Sequence, residues 1–133
     1  MKVENDDSKG ENDVGRCILV VDDEEVNLTL TEYILRNHSY EVITASSGAQ
    51  GLDKLRNRMI DLVLLDIDMP IMNGIRMFEF IKKEFANIPV IFLTASGYKS
   101  DVLEVLKMGA AGYVKKPFEP EDLVGRIEQV LDR

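Results

Sequence analysis

Four acidic residues in this chain stand where apolar runs end. Asp22 and Asp23 follow Cys17 to Val21 (CILVV), while Asp66 and Asp68 follow the run Leu62 to Leu65 within the stretch from Asp61 to Gly74. Thr94 closes a third run, Pro89 to Leu93, and Lys116 follows a fourth, Gly112 to Val114. A carboxylate at the end of a buried strand contributes little to packing. It is well placed for chemistry, because open α/β sheets bind ligands beyond the carboxyl ends of their strands. If the four runs are parallel strands, all these groups converge on one edge. Carboxylates ~5 Å apart repel by about 3 kcal/mol per pair at an effective dielectric of about 20. No structural need explains that cost. A hard divalent cation relieves it, and carboxylates with water and a phosphate oxygen are the usual Mg²⁺ shell. The Lys116 ammonium adds a second positive group and the Thr94 hydroxyl a donor. The set therefore suits a phosphoryl group, with Asp66 as the nucleophile that forms an aspartyl phosphate. Each residue alone has a plainer reading. Asp22-Asp23 before a helix is more often a capping pair, a lone Thr after a strand usually caps a helix, and Lys before Pro is unremarkable. Order and placement together make the set specific.

The elements that must position these groups are legible from periodicity. Continuous apolar runs mark strands buried on both faces: Cys17 to Val21, the short Glu41 to Ala45, residues 61 to 65, Pro89 to Leu93 and Gly112 to Val114. Each precedes a helical pattern. The first carries Val26, Leu28, Leu30, Tyr33, Ile34 and Leu35 as a broad apolar side, with His38 at its end to meet the last carbonyls. The second starts at Ser46 or Ser47 as N-cap, runs to about Arg58, and points Ala49, Leu52 and Leu55 inward. Gly74 to Phe85 follows, with Ile75, Phe78 and Ile81 at helical spacing, and Met69, Met72 and Met77 as gap-fillers. Asp101 to Met108 is stopped by Gly109. Glu119 to Leu131 has Pro120 in its first turn, where a missing N–H costs nothing, and Leu123, Ile127, Val130 and Leu131 inward. Strict βα alternation predicts a parallel sheet with helices on both faces.

Composition narrows the function further. The chain has 133 residues, room for one domain with a real core at 45% hydrophobic content. Its net charge of -8 argues against nucleic-acid binding, which needs Lys and Arg clusters, and allows a divalent metal. No run has the length of a membrane span and no signal-peptide pattern is present. The single Cys17 permits no internal disulfide and fits a reducing cytoplasm; it reads as a buried, inert thiol. Residues 1 to 15 bury too little to offset their ordering entropy and read as a disordered acidic tail, with a docking role as the alternative. Residues 16 to 133 form the domain.

The segments Val-Val-Asp-Asp-Glu (20 to 24), Leu64 to Gly74, Leu-Thr-Ala (93 to 95) and Gly-Tyr-Val-Lys-Lys-Pro-Phe (112 to 118) resemble the receiver domain of bacterial response regulators. The resemblance implies a flavodoxin-like doubly wound sheet of five strands in the order 2-1-3-4-5. It implies phosphotransfer to Asp66 from a sensor histidine kinase or a histidine phosphotransfer protein. Asp22, Asp23 and Asp66 would hold Mg²⁺, or Mn²⁺ in its place, with the Asp68 backbone carbonyl completing the protein ligands. Thr94 and Lys116 would contact the phosphoryl group, and Tyr113 would be the aromatic switch that follows Thr94 inward. The Lys116-Pro117 bond is expected to be cis. A protein of this kind catalyses only its own phosphorylation and dephosphorylation, and passes the signal to an output protein or a fused effector through the fourth helix, fifth strand and fifth helix.

Two positions depart from the family pattern. Asp68 stands where the best-studied receivers carry Asn, which adds negative charge near the path of an attacking water. Ala111-Gly112 stands where receivers fused to winged-helix DNA-binding domains often carry two acids that build a salt-bridged dimer. Arg126 is present but that pair is missing, which counts against a dimer of that type while leaving another phosphorylation-dependent homodimer open. Two rivals share parts of the pattern. Haloacid-dehalogenase-type phosphatases also use an Asp-x-Asp after a strand, but after their first strand, and usually with a Thr or Val where this chain has Pro70. A flavin module would need a hydroxyl- and Gly-rich loop where this chain has Asp22-Asp23-Glu24-Glu25, which would repel a phosphate.

Overall fold

The structure is a computed structural model that describes residues 15–69, 73–95 and 99–132. The tail expected over residues 1 to 15 lies outside the described residues except for Gly15, as do Pro70 and Met72. Ten elements alternate along the chain: β1 (Cys17–Val21), α1 (Glu25–Arg36), β2 (Glu41–Ala45), α2 (Gly48–Asn57), β3 (Leu62–Asp66), α3 (Gly74–Glu84), β4 (Val90–Thr94), α4 (Lys99–Lys107), β5 (Gly112–Lys115) and α5 (Pro120–Leu131). The strands form one parallel sheet in the order β2-β1-β3-β4-β5. This is the flavodoxin-like doubly wound order that the resemblance implies.

The continuous apolar runs exist because β1, β3 and β4 are covered on both faces, and every residue of all three is buried. Leu19, Val21, Val63, Leu65 and Phe92 point to one side and pack with Leu52, Leu55, Met77, Phe78, Ile81 and Val105 from α2, α3 and α4. Ile18, Val20, Leu62, Leu64, Ile91 and Leu93 point to the other and meet Leu28, Ile34, Leu35, Leu123, Val124 and Ile127 from α1 and α5. The period-2 alternation of Cβ direction splits each run between two cores. Phe78 and Phe92 meet edge to face with centroids 5.2 Å apart, the arrangement ring quadrupoles favour.

Helix faces are narrower than the sequence suggested. On α1 the buried residues are Leu28, Thr31, Ile34 and Leu35. Val26, Leu30 and Tyr33 are 79%, 53% and 66% exposed, so they do not belong to the inward side. Ala49 is also exposed, whereas Gly48 and Gly51 are buried with Leu52 and Leu55. One stripe suffices to cover a sheet, and the helix has only one. Caps set the entries: Ser47, rather than Ser46, accepts from the Gln50 N–H at 3.2 Å, and Asn73 accepts from the Arg76 N–H at 2.9 Å. His38 lies at the end of α1 with its Nδ1 3.0 Å from the Ile34 carbonyl, as its position implied. Gly109 ends α4 at a φ of 104°, a conformation that favours glycine.

Candidate functional site

Register brings the strand ends together. Val21 is level with Leu65, Asp66 with Leu93 and Thr94 with Lys115. Asp66 and Thr94 are the last residues of their strands rather than the residues beyond them. Asp22, next after β1, is held to the sheet by its N–H donating to the Ala45 carbonyl at 3.1 Å. The Lys116 N–H donates to the Thr94 carbonyl at 2.8 Å, fixing the chain just before a cis Lys116-Pro117 bond, as expected.

Three carboxylates meet at this edge. Asp22, Asp23 and Asp66 each offer an oxygen within 4.8 Å of the others, with Asp22 and Asp66 buried and Asp23 exposed. Lys116 reaches in from β5: its ammonium donates to Asp22 Oδ2 at 3.0 Å and lies 3.5 Å from Asp66 Oδ1. One ammonium does not neutralise three carboxylates, and the excess negative charge is what a hard cation with oxygen preference relieves. The donor set therefore fits Mg²⁺. Asp68 sits against the pair differently. Its N–H donates to Asp66 Oδ1 at 3.3 Å, while its own carboxylate is exposed and outside the clustered three. Thr94 is 1% exposed at the floor, and Tyr113 is 39% exposed on β5.

Electrostatics mark Asp66 out. Burial pushes its carboxyl up from 3.8 to about 6 and the Asp22 charge adds to this, against the Lys116 charge and the Asp68 N–H, which pull it down. Burial by itself would lower the Lys116 ammonium. The hydrogen bond to Asp22 and the charges of Asp66 and Asp22 outweigh it, and the net direction is upward. Lys116 is thus a fixed cation at neutral pH, beside a carboxylate whose charge is poorly solvated.

Several contributors were not legible as parts of the site. Asp22 has both oxygens engaged, since the Glu24 N–H donates to Oδ1 at 3.0 Å while Lys116 holds Oδ2. Gly74 lies against the backbone of Asp66 and Ile67, and a Cβ there would collide with the Asp66 carbonyl oxygen. Its N–H donates to the Ile67 carbonyl at 2.8 Å, so α3 begins by bracing the end of β3. The Asn73-Gly74 pair is a turn signal in the sequence, but nothing local ties it to the site. A cavity of about 270 Å³ opens beside Lys116, walled by Asp22, Asn27, Leu30 and Phe118 among others.

The response regulator receiver domain model matches residues 18–128. The chain is 38% identical over 120 residues to the alkaline phosphatase synthesis transcriptional regulatory protein PhoP of Bacillus subtilis, covering 90% of this chain and 50% of that protein. It is 39% identical over 116 residues to the response regulator SaeR of Staphylococcus aureus, covering 87% of this chain and 50% of SaeR. The chain thus spans about half the length of these curated relatives. Among solved structures, a response regulator receiver domain protein from Clostridium thermocellum superposes with a TM-score of 0.84 at 34% identity, covering 89% of this chain and 95% of that one.

Proposed function

The chain belongs to the response regulator receiver domain family of two-component signalling, and from that premise we propose that it is a phosphorylation-driven switch whose phosphoacceptor is Asp66. The reading is carried by one observation: three carboxylates within 4.8 Å of each other share a pocket with a single ammonium. A phosphohistidine on a sensor kinase or phosphotransfer protein is the donor. An Asp66 oxygen attacks phosphorus, the O–P bond forms as the N–P bond breaks, and the imidazole leaves with a proton from solvent. Water later attacks the same phosphorus, returning the carboxylate and inorganic phosphate. Bound by the carboxylates of Asp22, Asp23 and Asp66 and the carbonyl of Asp68, Mg²⁺ would neutralise charge on the phosphoryl oxygens. Lys116 neutralises a further part of that charge, and the Thr94 hydroxyl donates to a phosphoryl oxygen. The chain is then an acceptor that catalyses only its own labelling and release, rather than a turnover enzyme. The exposed Asp68 carboxylate adds negative charge where that water approaches and tunes the lifetime of the phosphorylated form.

Output follows from the same residues. Thr94, drawn to the phosphoryl group, leaves room for Tyr113 to turn inward, and the surface of α4, β5 and α5 changes shape for a partner protein or fused effector. Moving such an equilibrium from 1:99 to 99:1 takes about 5.5 kcal/mol of differential stabilisation. A dianionic group meeting Lys116 and Thr94 in a buried site is of that order. We place this activity in the cytoplasm, where histidine kinases present their phosphoryl group; among the described residues no helix is long and apolar enough to cross a membrane. Intact-mass measurement after incubation with phosphoramidate tests the reading. One phosphoryl group should be added in Mg²⁺, little in excess chelator and none to Asp66→Asn; equal labelling of Asp66→Asn would overturn it.

A further inference from the structure

Helix α5 contains a glycine that the fold does not require. Gly125 is mid-helix, where glycine costs about 1 kcal/mol relative to alanine, yet a Cβ there would meet nothing within 4 Å. The bare spot lies in a groove of about 540 Å³ between β5 and α5, lined by Tyr113, Lys115, Phe118 and Arg126 among others. Tyr113 and Lys115 share the outward face of β5, which is the edge strand. Among the described residues neither Lys115 nor Arg126 has an ion-pair partner. They are the two cations among the residues that line the groove. The lining also includes Glu121 and Asp122.

We propose that the segment preceding Gly15 is the occupant of this groove, its acids meeting Lys115 and Arg126 and its backbone passing over Gly125. Three facts select it. The segment leaves the fold at the C-terminal end of α5, the helix that walls the groove, because Arg16 donates to the Leu131 carbonyl at 3.5 Å. Fourteen residues precede Gly15, a reach of about 46 Å when extended, while Arg126 lies only about 7.5 Å along the helix from Leu131. The charge order also matches. Running back from Gly15, Asp13 and Glu11 come first and Lys9 next; running back from Leu131 along the residues of α5 that line the groove, which leave out Glu128, Arg126 is the first charge and Asp122 the next. The step from Glu11 to Lys9 is about 6.6 Å in extended chain, and that from Arg126 to Asp122 about 6 Å of helix. An exposed ion pair is weak singly, but the covalent link keeps the segment at an effective concentration in the millimolar range. Docking stands on charge and reach alone. That the docked segment competes with an output partner rests on the reading of α4, β5 and α5 given above.

The test uses the full unphosphorylated, metal-free chain, so that it is independent of Asp66 chemistry. A nitroxide is attached at Ser8→Cys; Cys17 is buried and burial raises its thiol pKa, so it does not compete for the label. Amide resonances of Lys115, Gly125 and Arg126 should broaden several-fold more than those of β2 at the opposite sheet edge. Salt at about 0.5 M, where the screening length is about 4 Å, should relieve the broadening. Arg126→Glu should abolish it, and adding Glu11→Arg should restore it. Broadening spread evenly over the surface, or unchanged in Arg126→Glu, would overturn the proposal.

Discussion

Replacing Asp66 by asparagine should make the metal-free protein more stable while ending its chemistry. The substitution keeps shape and removes charge. In the fold the Asp66 carboxyl keeps its proton to about pH 6 instead of 3.8, chiefly because it is buried and 5% exposed. The folded value lies above the unfolded one, so ionisation disfavours folding. The penalty is nil below the unfolded pKa, develops between 3.8 and about 6, and is full above that. At about 1.4 kcal/mol per pH unit the full penalty is about 3 kcal/mol. Asparagine carries none of it. Urea unfolding followed by far-UV circular dichroism in excess chelator should show Asp66→Asn more stable by about 2–3 kcal/mol at pH 7.5, and by roughly half as much at pH 5. A gain of that size raises Tm by roughly 10 °C. Added Mg²⁺ should narrow the gap, since it binds the folded wild type more tightly. An asparagine variant equal to or weaker than wild type at pH 7.5, or an advantage that grows toward acid pH, would mean that the buried Asp66 charge does not oppose folding.

Lys116→Met removes the cation that pairs Asp22 at 3.0 Å and Asp66 at 3.5 Å; stranding two buried carboxylates should cost about 3 kcal/mol in chelator at pH 7.5, and chemical denaturation measures it. The sign suits that pH, because the raised ammonium pKa makes the contribution fully present well below 10.5 and lost only as pH climbs through the folded value. Gly74→Ala drives a Cβ into the Asp66 carbonyl oxygen; it should destabilise by about 2 kcal/mol or more and slow labelling by phosphoramidate, whereas wild-type stability and rate would remove Gly74 from the site. Ser39 sits at a φ of 71° between α1 and β2, so Ser39→Gly should raise stability by about 0.5–1 kcal/mol in the same assay.

The sheet was legible because a strand buried on both faces leaves no polar residue inside it, and β1, β3 and β4 obey that rule up to the terminal Asp66 of β3 and Thr94 of β4. The site was legible for the converse reason: Asp22, Asp66 and Thr94 are polar where the runs predict apolar side chains, yet all are buried. Helix faces were less so. Val26, Leu30 and Tyr33 look like core residues by type, but only the neighbours of a helix decide which stripe is covered. The Lys116–Asp22 contact was invisible for a similar reason, being set by register across β1, β3, β4 and β5 rather than by any local pattern. Gly74 announced a turn in the sequence, while its collision course with Asp66 depends on how closely α3 returns to the sheet.

One side chain, Asp66, is expected to carry the phosphoryl group. Borohydride reduces an acyl phosphate to an alcohol, which converts a phosphorylated aspartate to homoserine. After labelling in Mg²⁺ and reduction, peptide sequencing by mass spectrometry should find homoserine at position 66 and aspartate retained at 22, 23 and 68. Homoserine at any of those three, or unaltered aspartate at 66 in protein that has gained phosphate, would place the phosphoryl group on another residue.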